Sequence, residues 1–329
     1  MKKTILVTGA AGYVGQLLID DLAAQKQQLG FETILATARN LKFRQRHQNC
    51  HYQLMDVTKP EQIEQVFAKQ SISAVIHLAS IVTPGPHTTR EQQYLVDVVG
   101  TENILKACVA HGVQKFIVTT SGAAYGYHPE NKDKFLTEDS PIRGNEEFPY
   151  SYHKRLIEQM LARYRANHPQ MQYYIFRIGT VLGDQVDNQI TNLFKQPVLW
   201  GLWGSDSPFS FVWDQDVVNC LVLALNDKAQ AGAYNVCGDG QVDIKQRAKL
   251  QKKWLIKLPP LLVWSVLWLM KKLKLTGYGP EQMVFIQYRP VLDNHKLKTV
   301  FGYRPLKTSL QTFQYWLSSF SRKIRLSSQ

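Results

Sequence analysis

The stretch PYSYHK at residues 149–154 sets two phenols ahead of one lysine. Proline suits the first position of a helix, so the spacing predicts a helix beginning at Pro149 on which Tyr150 and Lys154, four residues apart, share a face. Tyr152 then points elsewhere. A phenol titrates near ~10 and can act as acid or base at neutral pH only beside a cation that stabilises the phenolate. Lys154 is such a cation. A second group with chemical use is TGAAGYVG at 8–15, where Gly9, Gly12 and Gly15 recur every three residues between an apolar run and the amphipathic LLIDDLAAQ. Glycines in that setting allow a tight turn and close approach of backbone to a pyrophosphate, which the free N–H groups of the helix N-terminus stabilise.

Elements that would position these residues are legible as apolar, β-branched runs alternating with helix-length amphipathic stretches: TILVT (4–8), TILAT (33–37), AVIHLA (74–79), KFIVTT (115–120) and YYIFR (173–177). Continuous apolar strands separated by helices predict a parallel sheet covered on both faces, that is, a doubly wound α/β Rossmann sheet. After about residue 180 the alternation lapses into a Trp-, Gly- and Pro-rich segment, PVLWGLWGSDSPFSFVW. This change predicts a nucleotide-binding domain over 1–178 and, over 179–329, mainly a smaller substrate-binding lobe with some segments returning to the first domain.

Composition bounds the function. The chain has 329 residues, 44% of them hydrophobic and 11% aromatic, as expected of a folded globular protein. Its +13 formal charge is scattered and is not interleaved with aromatics as in an RNA-binding surface, so no nucleic-acid partner is expected. Cys50, Cys108, Cys220 and Cys237 form no CxxC pair, which points to reduced thiols and a cytoplasmic setting without a metal site. The apolar run at the start of the chain is too short for a secretory core and reads as a buried first strand.

The glycine loop resembles that of the extended short-chain dehydrogenase/reductase family (the NAD-dependent epimerase/dehydratase family), whose fingerprint is TGxxGxxG. The likeness recurs in order along nearly the whole chain: DVT (56–58), HLAS (77–80), TTSGAAYG (119–126), PYSYHK as YxxxK, FRIGTVLG (176–183), FVWDQDVV (211–218), GAYNVCGDG (232–240) and LDNHKLKTVFGYRP (292–305). The resemblance implies catalytic roles for Ser121, Tyr150 and Lys154. Ser121 would hold the substrate oxygen, Tyr150 would give or take the proton, and Lys154 would lower the phenol pKa and bind the nicotinamide ribose. Cofactor contacts are implied at Gly9, Gly12, Tyr13, Val14, Gly15, Arg39, Asp56, Val57, Leu78 and Ala79, besides Tyr150 and Lys154. A homodimer through the helices at about 90–111 and 150–166 is implied by the same likeness.

At the end of the second strand, ILATARN places Ala38 where NAD-selective relatives carry Asp, and the neighbouring Arg39 could fork onto a 2′-phosphate. NADP(H) is therefore the preferred cofactor, with NAD(H) the alternative if Arg39 merely stacks on adenine. Two substrate-reading positions of the sugar-nucleotide epimerases hold Thr180 and Phe209 instead of Asn and Arg, while Arg289 remains as a cation able to meet an anionic group. With Trp200, Trp203, Phe211 and Trp213 near Phe209 in sequence, a partly apolar pocket is expected. The expected activity is hydride transfer at a secondary alcohol or ketone of a partly apolar small molecule. The alternatives are a nucleotide-sugar epimerase or dehydratase and a non-catalytic NADP-binding redox sensor.

One stretch fits none of these motifs. KKWLIKLPPLLVWSVLWLMKKLKL (252–275) has an uncharged core at 258–270, flanked by Lys252, Lys253 and Lys257 on one side and Lys271, Lys272 and Lys274 on the other. It is too short to span a bilayer, which takes about 20 residues. The first expectation is a buried lid or core helix of the substrate lobe. The second is a helix lying at a membrane surface, which would make the protein peripheral there.

Overall fold

The computed structural model describes residues 3–273, 275 and 279–327, so that Lys274 of the segment above lies outside them. A seven-stranded parallel sheet forms the centre. Its strands are β1 (Thr4–Thr8), β2 (Thr33–Ala38), β3 (Cys50–Leu54), β4 (Ile72–His77), β5 (Lys115–Ser121), β7 (Gln172–Ile178) and β11 (Gly232–Val236). Their spatial order is β11-β7-β5-β4-β1-β2-β3. The chain therefore leaves β1 toward one edge, returns through β4 and builds toward the other. That reversal opens a crevice at the carboxyl ends of β1 and β4, the place where such sheets bind ligands.

Strand residues alternate between two cores. Ile5, Val7, Ile34, Ala36 and Ile76 face one side, with Leu18 and Leu22 of α1 (Tyr13–Leu29) and Val217 and Leu221 of α7 (Asp214–Leu223). Leu6, Leu35, Val75, Phe116 and Val118 face the other. There they meet α2 (Pro60–Phe67), α4 (Gly100–Ala110) and α5 (Pro149–Asn167). Both faces of the sheet are thus covered, which is why its strands are apolar throughout. Strand β3 is not legible in the sequence because CHYQL is an edge strand of mixed polarity. The fourth strand ends at His77, two residues earlier than expected, and Leu78 and Ala79 belong to the loop beyond it.

Helix α4 continues α3 (Arg90–Tyr94) through a π-helical turn at Leu95–Val99, where the Gly100 N–H reaches back to the Leu95 carbonyl. Such turns often sit at functional sites because the extra residue re-aims side chains. Gly100 is required there, since a Cβ would lie 2.6 Å from Val57 Cγ2.

Three short strand pairs lie outside the central sheet: β6 (Phe135–Leu136) with β13 (Val291–Leu292), β8 (Thr180–Leu182) with β10 (Phe211–Trp213), and β9 (Val198–Leu202) with β12 (Trp254–Leu258). Helices α6 (Gln189–Lys195), α8 (Ile244–Gln251), α9 (Pro260–Lys272), α10 (Gln282–Gln287) and α11 (Ser309–Ser327) accompany them. A separate core of Leu182, Phe194, Phe209, Phe211, Val242, Phe313 and Trp316 holds this region together. Helix α9 corrects an expectation. It contains no buried residue, so it is neither a core helix nor a packed lid. It leaves the edge strand β12 through Pro259 and only Pro260, Val263 and Leu267 are even partly covered.

His77 is enclosed at the β1–β4 junction, its Nδ1 2.8 Å from the Thr8 hydroxyl and its Nε2 3.1 Å from that of Thr101. Burial, aided by the charge of Lys154, pushes the imidazole down to about 3. It stays neutral in the folded protein and takes up a proton on unfolding below ~6.5, so folding loses stability as pH falls from that value toward the folded one. In urea titrations across this window, His77→Gln should flatten the decline by up to about one proton's worth of slope. Parallel declines for both proteins would contradict this origin.

Candidate active site

One face of α5 carries Tyr150, Lys154 and Glu158 at four-residue spacing, and Pro149 opens the helix as expected. Glu158 fastens that face to the sheet. Its Oε1 accepts from the Thr120 hydroxyl at 2.6 Å and from Arg177 Nε at 3.0 Å, and its Oε2 accepts from Arg177 Nη2 at 2.9 Å. Arg177 also donates to the Tyr125 hydroxyl at 2.9 Å, which makes Tyr125 part of the same buried clamp. The helix start is thereby held over the end of β5, where Ser121 caps the turn Gly122–Tyr125 by accepting from the Ala123 N–H at 3.1 Å. The Ser121 side chain also acts on the Tyr150 phenol, drawing its pKa down. Tyr152 does not share this face. It lies between the Arg90 and Arg155 guanidinium groups, 5.6 and 4.9 Å from its ring centre.

Lys154 is buried, its Nζ 3.3 Å from Ser80 Oγ, 3.5 Å from the Thr119 carbonyl and 5.4 Å from the Tyr150 ring centre. Burial lowers its pKa, and the charges of Asp97 and Glu158 oppose that shift. Asp97, on the π-helical turn, was not anticipated. One carboxylate oxygen accepts from the Ser80 hydroxyl at 2.9 Å and the Ile81 N–H at 2.8 Å, and the other lies 3.3 Å from His153 Nδ1. Burial would raise the carboxyl, but His153, Lys154 and these donors together hold it below the usual range. Asp97 is an acid inside the apolar run LVDVV, and His153 directly precedes Lys154; an isolated charge in such a run was the available signal.

The expected lowering of the Tyr150 pKa is not what this site shows. Burial pushes the phenol up to about 12, the Ser121 hydroxyl pulls down and the Asp97 charge pushes further up. The ammonium sits beside the ring rather than at its oxygen, drawn toward Ser80. At neutral pH the phenol of the protein alone is protonated and available as a proton donor.

The glycine loop has the shape that a pyrophosphate needs. Gly9 has φ +66°, and a Cβ on it would lie 2.6 Å from the Ala79 nitrogen; one on Gly15 would lie 2.5 Å from the Gly9 carbonyl oxygen. Side chains larger than hydrogen cannot stand there. The turn closes through the Gly12 N–H to the Gly9 carbonyl at 2.9 Å, and α1 begins without any side chain capping its first N–H groups, those of Tyr13, Val14 and Gly15. These residues fit a dinucleotide at the helix N-terminus. The Tyr13 hydroxyl is turned away to donate to Asp214 Oδ2, tying the loop to α7. Leu78 and Ala79 press on the glycine loop from the segment after β4, the Leu78 N–H donating to the Thr8 carbonyl at 3.2 Å.

Farther along the crevice, Arg39 is exposed directly after β2. Arg44, six residues past β2, donates its N–H to Gln16 Oε1 of α1 at 2.7 Å. Asp56 stands just beyond β3 and uses Oδ1 to accept from the Thr58 N–H and hydroxyl. Val57 is buried against Gly100.

On the substrate side, Thr180 begins β8 and its N–H donates to the Ser210 carbonyl at 2.9 Å. Phe209 and Phe211 do not line an open pocket: both are buried, stacked 5.2 Å apart in the lobe core, whereas Trp200 and Trp203 are exposed. The expected cluster thus divides between core and surface. A different aromatic group stands near the phenol. Phe148 just before α5, Tyr127 and Phe285 have ring centres 4.8 to 6.1 Å apart. Tyr127 interacts electrostatically with both Tyr150 and Arg289.

Arg289 is buried with its guanidinium 3.5 Å from the Phe209 ring centre and 4.4 Å from that of Phe285. Its Nη2 donates to the Phe285 carbonyl at 3.4 Å, but among the described residues it makes no ion pair and its Nε has no partner. Arg247 of α8 covers the same Phe209 ring at 4.6 Å, its Nη2 donating to the Ser207 carbonyl at 2.8 Å. Burial lowers both arginines, Arg289 to about 10 and Arg247 to about 9, the latter also through repulsion from Arg289. Two buried cations thus repel each other at one aromatic ring, the charge of Asp243 opposing that effect on Arg247, and neither makes an ion pair among the described residues.

A parallel Rossmann sheet with a glycine loop after its first strand defines a dinucleotide-binding fold. The chain belongs to the NAD dependent epimerase/dehydratase family, which it matches over residues 5–237. An uncharacterised protein of Mycobacterium tuberculosis is 23% identical over 94% of this chain and 82% of its own length. The UDP-glucose 4-epimerase of Thermotoga maritima, solved with UDP-glucose, superposes with a TM-score of 0.74 at 18% identity, covering 98% of this chain and 99% of that one. The Thermus thermophilus UDP-glucose 4-epimerase, solved with NAD, gives 0.71 at 20% identity over 97% and 99%.

Tyr150→Phe should lower turnover by about 100-fold or more while cofactor affinity stays within about twofold, since only a proton-transferring group is lost. Lys154→Ala should impair both. Steady-state rates and cofactor titrations check the pair; near wild-type turnover in Tyr150→Phe would remove the phenol from the chemistry.

Proposed function

We propose that the protein moves hydride reversibly at a secondary alcohol or ketone of a small molecule that presents an apolar face and, farther out, an anionic group. The buried pair Arg247 and Arg289, neither of them in an ion pair among the described residues, carries this reading, with the aromatic wall of Tyr127, Phe148 and Phe285 between it and Tyr150. Tyr150 gives its proton to the carbonyl oxygen as hydride arrives, and takes it back in the reverse direction. Ser121 holds that oxygen, and Lys154 offers positive charge to the phenolate and a donor to the cofactor ribose. The nicotinamide, when bound, supplies or receives the hydride.

A nucleotide-sugar epimerase or dehydratase is the second reading. It is favoured by the same arginines, which suit a diphosphate, and by the activity named for the two solved epimerases. Net consumption of NADPH with substrate marks the oxidoreductase, and turnover without it marks the epimerase. A non-catalytic sensor is the weakest reading, because it has no use for a clamp that aligns Tyr150, Lys154 and Ser121. A dimer through α3, α4 and α5 is part of the proposal, supported by the exposed Tyr94 and Leu95.

The proposed cofactor is NADP(H), from the exposed Arg39 directly after β2. Arg39→Ala should weaken NADP(H) about tenfold or more and NAD(H) little, as one bidentate phosphate contact is lost; equal losses would make Arg39 an adenine platform. Arg289→Met should raise KM about tenfold or more with kcat nearly unchanged, because the group binds far from the reacting carbon. An unchanged KM would remove the anion from the substrate.

A further inference from the structure

The outward face of the lobe is unusual for a soluble surface. In β12, Trp254 and Ile256 point outward, 82% and 41% exposed, and Ile256 pairs in register with Trp200 of β9, itself 59% exposed. The strand runs through Pro259 into α9, which exposes Leu261 at 76% together with Leu262, Trp264, Val266, Trp268 and Leu269. Trp264 and Trp268 stack 6.4 Å apart along the helix, and Lys272 Nζ lies 4.9 Å from the Trp268 ring centre. Ribbon and helix, joined through Pro259, together present an apolar platform of the kind that marks an interaction site.

Charge selects the occupant. From Ile244 to Leu275 the chain has no Asp or Glu and nine Lys and Arg, within a protein of net charge +13. Lys257 and Lys271 are paired with Asp206 and Glu281, while Lys252 and Lys272 face outward at the two ends of the platform. Among the described residues, no helix is long and apolar enough to cross a membrane. Exposed tryptophans, an apolar helix that lies flat, and lysines at its rim match the interface of an anionic bilayer: rings sit at headgroup depth and ammonium groups reach the phosphates. We infer that the β9–β12 ribbon and α9 dock the protein on an anionic lipid surface. The docked lobe also carries Phe285 and Arg289, so its substrate-binding side would stand close to the headgroups.

The full chain should be sedimented with vesicles of phosphatidylcholine alone and of phosphatidylcholine mixed with phosphatidylglycerol, at low and high salt. Roughly tenfold more protein should pellet with the anionic vesicles at low salt, and added salt should release much of it. The double variant Trp264→Glu, Trp268→Glu should lose about that tenfold while keeping cofactor affinity, which shows that it folds; both residues are exposed. Absence of pelleting at low salt, or equal pelleting of the variant, would overturn the inference. So would a dimer by light scattering that dissociates in the variant while no vesicle binding is seen, since the platform would then join two copies of this chain.

Discussion

Everything at the crevice depends on how the inward face of α5 is held. A helix carrying Lys154 and Glu158 four residues apart buries two opposite charges, and buried charges persist only when each is paired and hydrogen-bonded. Glu158 finds Arg177 and Thr120; Lys154 finds Ser80 and the field of Asp97. These pairings join β5, β7, the loop after β4 and the π-helical turn to a single helix face. Tyr150 and Ser121 meet because that face cannot slide or rotate without leaving a buried charge unmatched.

The cofactor side and the substrate side are built on different physics. Around the glycine loop, backbone does the work: close approaches at Gly9 and Gly15 and uncapped N–H groups shape a concavity for phosphate oxygens. On the substrate side, side chains do it. Aromatic rings pack against two buried arginines, and Arg289 repels Arg247. The Tyr13 to Asp214 hydrogen bond links the first region to the element that leads out of the second lobe.

The inner strands of the sheet were legible because parallel strands buried on both faces must be apolar, and the glycine loop because glycines at a sterically closed turn admit no substitute; the edge strand β3 was not. The helix face of Tyr150 and Lys154 was legible from its spacing alone. What escaped depends on contacts distant in sequence. Nothing near Phe209 tells that its ring lies in a core beneath two arginines, one of them from α8, and Asp97 reaches Lys154 only because the π-helical turn re-aims it. The segment at 252–275 departs from expectation for a simpler reason: an apolar helix is buried only if something covers it, and hydropathy does not reveal the cover.

The most direct test of the role given to Asp97 is the titration of Lys154 itself, followed by NMR on lysine labelled at its terminal carbon, in the wild type and in Asp97→Asn. With the carboxylate gone, the buried ammonium should lose its proton at a lower pH than in the wild type, since Asp97 is the leading influence opposing desolvation there. A Lys154 that titrates at the same pH in both proteins would contradict the claim that Asp97 keeps this lysine charged.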